Sequence, residues 1–275
     1  MLKENYRLYN GVKIPKIALG TWQISDSDVI GTVNNAISIG YRHIDTAVQY
    51  ENERGIGQAV KECGVARNEL FVTTKIPHDV KSYEGAKQTI EDSLNRMGLE
   101  YLDLVLIHSP KPWEELFAGS DKTYFEENLA VWKAMTEAYQ SGKVRAIGVS
   151  NFEISDIQNL IDHSNVKPMV NQIRVHIGHM PTEIINYCQT NDILVEAFSP
   201  NATGKLIGNP AIEALADKYG VSVPQLSIRY DLQLGLLPLP KSTSKDHMKQ
   251  NAELDFEISD KDMTILGKVE EIQSL

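Results

Sequence analysis

The sequence predicts an α/β fold, a closed (β/α)8 TIM-type barrel with an N-terminal β-hairpin plugging its floor, from three observations. Strand and helix patterns alternate from residue 17 onwards, as they do in parallel βαβ units. About eight strand segments can be read, the number a closed barrel of ~250 residues needs. No linker rich in Pro, Gly or Ser interrupts the series, so one domain over residues 1–275 is expected. A chain of 275 residues that is 42% hydrophobic supplies enough apolar surface for such a core.

The hairpin comes first, in YRLY-NG-VKIP. Its Asn10-Gly11 pair is a strong tight-turn signal, because both residues tolerate positive φ. The strands expected after it cover 17–22, 41–45, 70–75, 101–108, 144–150, 169–173, 193–199 and 236–240. Between them the helices are well marked. Residues 82–97 place Ala86, Ile90, Leu94 and Met97 on one face at helical spacing. Leu129, Trp132, Met135 and Tyr139 repeat that pattern, and Gly142 offers a stop. Asn209-Pro210 reads as an N-cap followed by a proline at the first helical position, with Gly220 as the end. Ser259 and Asp262 have the spacing of a capping box for a last helix.

Charge narrows the function. A formal net charge of −10 disfavours nucleic acid or an anionic membrane as the main partner, since both attract basic surfaces. Cys63 and Cys188 match no metal-ligand or redox spacing, so buried free thiols in a reducing cytosol are expected. The N-terminal stretch lacks the apolar run of a signal peptide, and no segment approaches the ~20 apolar residues of a membrane span. A cytoplasmic location is the expectation.

The chemistry lies at the strand ends. Asp45, Lys75 and His108 each close a separate predicted strand, and Tyr50 follows Asp45 in the loop before a helix. Parallel barrels carry their active sites at that rim. Taken singly, each residue has an ordinary reading: a solvated lysine, a turn-forming aspartate, a core histidine. Converging on one rim, they form a proton-transfer group. A free tyrosine ionises near pH 10, and an adjacent ammonium favours the phenolate. Lys75 is placed to act on Tyr50 in this way, Asp45 to hold Lys75, and His108 to orient a substrate oxygen. Such a group can protonate a carbonyl oxygen as hydride reaches its carbon. Gly55-Ile-Gly57 resembles the opening of a dinucleotide fingerprint, but it lacks the third glycine and does not follow a strand directly, so it is set aside.

Eight stretches, in order, carry a resemblance over nearly the whole chain: LGTWQ (19–23), IDTAVQYENERGIGQAV (44–60), TTK (73–75), LVLIHSP (104–110), IGVSNF (147–152), VNQIRVH (170–176), EAFSP (196–200) and LPKS (239–242). The chain resembles the aldo-keto reductases, in particular the short-tailed bacterial type that includes diketogluconate and glyoxal reductases. That resemblance implies a (β/α)8 barrel binding extended NADPH, with NADH as a second candidate, and a small-molecule carbonyl substrate. It implies a monomer or weak dimer, and no metal. Tyr50 would be the proton donor, Asp45 and Lys75 its tuning pair, and His108 the carbonyl-orienting group. Ser150, Asn151 and Gln172 would contact the nicotinamide carboxamide, and Phe198 would stack on its ring. Thr21, Asp45, Ser199 and Asn251 complete the implied cofactor contacts, with the loop 200–209 closing over the pyrophosphate. Trp22 and Trp113, together with Tyr50 and His108, would line the substrate pocket.

Some positions depart from the family pattern. An arginine commonly grips the 2′-phosphate where this chain has His247, which leaves Lys241 and Ser242 as the phosphate partners. An imidazole cannot reproduce the five-donor fork of arginine, so a weakened preference for NADPH over NADH is expected. The usual HWP reads His108-Ser109-Pro110, removing one aromatic wall. Arg174 stands where an acidic residue is common, and nothing in the sequence explains it. The chain ends at Leu275, as in short-tailed members, which implies an open and permissive site. Two other readings fit the residues less well. A metal-dependent hydrolase would need clustered His and carboxylate ligands and would leave Lys75 and Tyr50 without work. A nicotinamide-binding sensor would have no need of the tuned acid.

Overall fold

Eight parallel strands close on themselves where Gly20 bridges to Lys241. The computed structural model describes residues 1–272; residues 273–275, the end of the short tail noted above, lie outside them. The hairpin consists of β1 (Asn5–Arg7) and β2 (Lys13–Pro15), paired antiparallel. The barrel strands follow in order: β3 (Leu19–Gly20), β4 (His43–Asp45), β5 (Phe71–Ile76), β6 (Leu102–Ile107), β7 (Val144–Ser150), β8 (Val170–Arg174), β9 (Leu194–Phe198) and β10 (Leu237–Leu239). Each pairs in parallel with its sequence neighbour. Closure is made by backbone bonds from Ala18 N–H to the Pro238 carbonyl (3.3 Å) and from Gly20 N–H to the Pro240 carbonyl (3.1 Å).

The helices are α1 (Asp26–Ile39), α2 (Glu53–Glu62), α3 (Tyr83–Met97), α4 (Trp113–Phe117), α5 (Phe125–Gln140), α6 (Ile154–His163), α7 (Thr182–Thr190), α8 (Pro210–Tyr219), α9 (Val223–Gln233), α10 (Lys245–Ala252) and α11 (Asp260–Leu266). The strands β5 and β6 are buried along their whole length, as strands covered on both faces must be. Charge enters them only with partners. Asp103 of β6 accepts from Arg67 (2.7 Å), Arg145 (2.6 Å) and the backbone N–H of Val72 (2.9 Å). No helix among the described residues is long and apolar enough to cross a membrane.

The expected helix signals act as caps. Ser82 Oγ accepts from Gly85 N–H to open α3, Gly98 at φ 59° ends it, and Ala86, Ile90, Leu94 and Met97 are buried. Asn209 Oδ1 accepts from Ala211 and Ile212 N–H at the start of α8, and Gly220 at φ 65° closes it. Only half of the box at α11 forms. Ser259 Oγ accepts from Asp262 N–H, while Ser259 N–H donates to Tyr219 Oη (2.9 Å) instead of the Asp262 carboxylate. That carboxylate is taken by the Lys218 ammonium (2.6 Å) and the Tyr219 hydroxyl.

One expectation changes in form. The hairpin turn is a three-residue loop, Tyr9 to Gly11: Leu8 N–H donates to the Val12 carbonyl, Gly11 N–H to the Leu8 carbonyl, and Gly11 alone takes positive φ (+88°). This is the type I turn plus left-handed glycine, which suits a right-twisted pair as well as the tighter turn does. Gly55 and Gly57 prove to be packing glycines inside α2. A Cβ at Gly55 would collide with the Asp26 carbonyl of α1, and one at Gly57 with the Met97 carbonyl closing α3. Their lack of a side chain lets three helices meet, and no strand-to-helix phosphate loop is present there.

Candidate active site

Residues two apart on a strand share a face, so β4 sends His43 and Asp45, and β5 sends Thr73 and Lys75, into the barrel. All four are buried. Lys75 Nζ donates to Asp45 Oδ1 (2.7 Å), the Thr46 carbonyl (2.9 Å) and Tyr50 Oη (3.4 Å). An ammonium has three protons, and each has an acceptor. Burial works against the charged lysine, but Asp45 and Tyr50 outweigh it and hold its pKa above the ordinary value.

Tyr50 ends a 3₁₀ turn, Val48–Tyr50, and Glu51 takes a left-handed conformation (φ 56°) after it. The loop is pinned by Asn52, which the sequence reading passed over. Its Nδ2 donates to the Thr21 and Ile24 carbonyls, both at 3.0 Å, and its Oδ1 accepts from Thr46 Oγ1. A polar residue just before a helix suggests a cap, yet the Asn52 side chain makes no cap bond and is fully buried across the loop. Burial raises the pKa of the Tyr50 phenol, and Lys75 pulls it back down. The net direction is upward, so the lysine effect expected from sequence is present but is exceeded by burial. Tyr50 therefore carries its proton.

His108 follows β6 directly. Its ring lies edge-on to Tyr50, with centroids 5.8 Å apart, and 5.3 Å from Trp113. Burial, then Lys75, pushes its pKa well below the ordinary value, which keeps the imidazole neutral with one N–H to offer. Trp113 heads α4, a short helix inside the loop 111–127 whose course the sequence left open. The indole is flanked by His78 (5.3 Å) and stacked on Phe117 (5.7 Å, 18°). His78 and Phe117 were not singled out from sequence, because nothing local links them to His108. Trp22 is 42% exposed.

The implied cofactor residues fall into two groups. Around the tetrad, Thr21 donates twice to the Asp45 carbonyl, from N–H (3.1 Å) and Oγ1 (2.9 Å). Ser150 Oγ donates to the Gln172 carbonyl (2.8 Å). Asn151, left-handed at φ 59°, donates to the His108 carbonyl and Ser150 Oγ, both 3.1 Å. Gln172 Nε2 donates to Asp45 Oδ2 (2.9 Å) and to Glu196 Oε2 (2.7 Å). Phe198 ends β9 half-buried, and Ser199 turns the chain with φ 53°. The second group follows β10. Lys241 and His247 are exposed, Ser242 Oγ accepts from Ser244 N–H (3.1 Å), and Asn251 is buried on α10. His43 and Glu196, also unassigned from sequence, are fully buried within the barrel.

The sequence profile of the Aldo/keto reductase family matches residues 16–271. A glyoxal reductase of Bacillus subtilis (strain 168) is 40% identical over 264 residues, covering 95% of this chain and 91% of that protein. A crystal structure of an aldo/keto reductase from Brucella melitensis superposes with a TM-score of 0.90 at 34% identity, over 96% of this chain and 97% of that one. The Bombyx mori aldo-keto reductase, solved in complex with NADP, gives a TM-score of 0.86 at 36% identity over 96% and 92%. With a closed parallel barrel and an acid–ammonium–phenol group at its rim, the chain belongs to the aldo/keto reductase family and is an oxidoreductase acting on carbonyl groups.

Proposed function

We propose that this protein reduces aldehydes and ketones to alcohols with NADPH, with small dicarbonyls as the leading substrates ahead of keto acids and keto sugars, and that Tyr50 is the proton donor. The observation that carries the reading is one ammonium shared between Asp45 at 2.7 Å and Tyr50 Oη at 3.4 Å. Similarity to a glyoxal reductase supports the dicarbonyl, and the NADP-bound silk-moth relative supports the cofactor.

The residues present fit a nicotinamide dinucleotide. Ser150, Asn151 and Gln172 offer amide and hydroxyl partners for a carboxamide, Phe198 offers an aromatic face, and Lys241 an exposed cation for a phosphate. Ser242, His247 and Asn251 follow that cation along the chain, and in this reading Thr21 and Ser199 would border the nicotinamide end. When bound, the reduced nicotinamide supplies the hydride.

The protein supplies the rest. Neutral His108 donates an N–H to the carbonyl oxygen and aims it at Tyr50, with Trp113 as one wall and Trp22 as another. Tyr50 Oη gives its proton to that oxygen as negative charge develops there. Lys75 stabilises the phenolate that remains, and Asp45 keeps Lys75 charged. The proton is restored from solvent before the next turnover.

Loss of NADPH absorbance with glyoxal, methylglyoxal and simple aldehydes tests this directly. Tyr50→Phe is expected to lower kcat by roughly 10²–10⁴-fold while NADPH still binds. Substantial turnover in a folded variant would remove Tyr50 from the role. A wild type that binds NADPH saturably but turns over no carbonyl would favour a sensor.

A further inference from the structure

Beneath the Tyr50–Lys75–Asp45 group lies a carboxyl group that the reduction does not use. Glu196, central in β9, has no exposed surface. Pairing sets Gln172 of β8 and Leu237 of β10 opposite it. With one amide nitrogen, Gln172 joins two carboxyl groups, Glu196 at 2.7 Å and Asp45 at 2.9 Å. Asp45 binds Lys75 with its other oxygen, and Lys75 reaches Tyr50. The contacts thus run unbroken from Glu196 to the phenol at the rim. On its far side Glu196 Oε1 has no hydrogen-bond partner among the described residues and lies 4.0 Å from His43 Nε2, which is engaged with Thr73 Oγ1 at 2.9 Å.

The charges do not balance if every group ionises. The titratable groups around Glu196 are His43 and Asp45 from β4 and Lys75 from β5, while β8 and β10 set Gln172 and Leu237 beside it. Burial drives the His43 pKa down to about 3, so that imidazole is neutral. One ammonium is then left to serve two buried carboxyl groups. Two carboxylates so placed do not both ionise at neutral pH. Asp45 has the ammonium and an amide donor, whereas Glu196 has the amide alone. Burial, followed by the charge on Asp45, pushes Glu196 up to about 8.

We propose that Glu196 is a positioning acid for proton transfer at Tyr50: through Gln172 it fixes Asp45, and its ionisation sets where the alkaline limb of carbonyl reduction falls. This rests on the reductase reading with Tyr50 as donor. Once Glu196 releases its proton to solvent, a second negative charge lies beneath the Lys75–Tyr50 pair. That charge disfavours the phenolate and keeps the phenol protonated to higher pH. Reduction needs the phenol, so ionised Glu196 extends activity into the alkaline range.

Glu196→Gln keeps the size and an acceptor for Gln172 but cannot ionise. Its pH profile of kcat/KM for glyoxal reduction is expected to overlay wild type through neutral pH, and its alkaline limb, set by a phenol held above its ordinary range, is expected to begin earlier, by up to about one pKa unit or about tenfold in rate on that limb. A purely structural role would give a uniform loss at every pH, and that result, or identical profiles, would overturn the proposal. If Glu196→Gln does not fold, Glu196→Met keeps the length of the side chain without an ionisable group, and the same pH-selective loss is expected. Infrared difference spectra give a readout independent of turnover. Beside the band of neutral Asp231, wild type should show a carbonyl stretch that titrates near pH 8 and that is missing from the variant, where the Asp231 band remains. A wild type inactive on every carbonyl would refute the reductase reading, while this band would still decide whether Glu196 holds the proton.

Discussion

A lysine without exposed surface is tolerated only when each of its protons has an acceptor, and Lys75 meets that condition through Asp45, Thr46 and Tyr50. Asp231 of α9 fails it. It is fully buried and neither carboxyl oxygen has a hydrogen-bond partner among the described residues. Burial therefore raises its pKa well above the ordinary value, and it folds as the neutral acid. An unfolded aspartate ionises near pH 4, so above that pH the unfolded chain binds fewer protons than the folded one, and stability falls as pH rises. Asp231→Asn removes that dependence. It is expected to raise stability by about 1–3 kcal/mol at neutral pH, recovering part of the roughly 1.4 kcal/mol per pH unit that the wild type loses above about pH 4. The corresponding gain in Tm is roughly 2–4 °C per kcal/mol, shrinking towards zero near pH 4. Equal melting temperatures for variant and wild type at neutral pH would mean that the folded carboxylate is solvated. The tetrad itself was legible in the sequence, because Asp45, Lys75 and His108 each punctuate the end of an apolar run. Asn52 and Glu196 were not. Asn52 acts on carbonyls far back in the chain, and Glu196 acts through Gln172 on a residue of a distant strand, so neither leaves a local mark.

At the scale of elements, the expected strand series corresponds one to one with β3–β10, with ends shifted by a few residues where pairing partners stop. Hydrophobic runs report burial, but only the neighbouring strand decides how far a ladder extends. For this reason the predicted segment 17–22 shrinks to Leu19–Gly20 while Val144–Ser150 is kept whole. The glycines of α2 show the opposite limit. Gly55-Ile-Gly57 looks like a fragment of a phosphate-binding motif, and its meaning emerges only once α1 and α3 are seen crossing α2 at those positions. Gly57→Ala makes this testable, because two effects oppose each other. Alanine gains about 1 kcal/mol of helix propensity over glycine. The added methyl meets the Met97 backbone, which cannot rotate away, and overpacking of this kind costs about 1–3 kcal/mol. Net destabilisation is expected as a lower urea midpoint, with NADPH affinity of the folded fraction unchanged. A stabilised Gly57→Ala, or one with selectively lost cofactor affinity, would contradict the packing role.

At the scale of the whole molecule, barrel closure brings the two ends of the strand series together. The bridge from Gly20 to Lys241 sets the segment after β10 beside β3, where Thr21 continues into the Asp45 carbonyl. A cofactor extended along this rim would meet the tetrad at one end and Lys241 to Asn251 at the other. The protein carries a net charge of −10, so a dinucleotide with several phosphates gains nothing from the overall field and depends on local cations. In the proposed binding mode Lys241 would supply one as a point charge, and the exposed His247 has no planar fork to add. His247→Arg places such a fork at the head of α10, where the backbone is already ordered by the Ser244 cap. A charge-assisted hydrogen bond contributes about 1.5–3 kcal/mol, which corresponds to roughly tenfold or more in affinity. NADPH should therefore tighten by about that factor in a fluorescence titration, with NADH nearly unchanged because it lacks the 2′-phosphate. The gain should also shrink as salt is raised, since the new contact is exposed and screened. Equal tightening of both cofactors would mean that residue 247 meets a group they share, and the adenosine end would then have to be placed elsewhere along the rim.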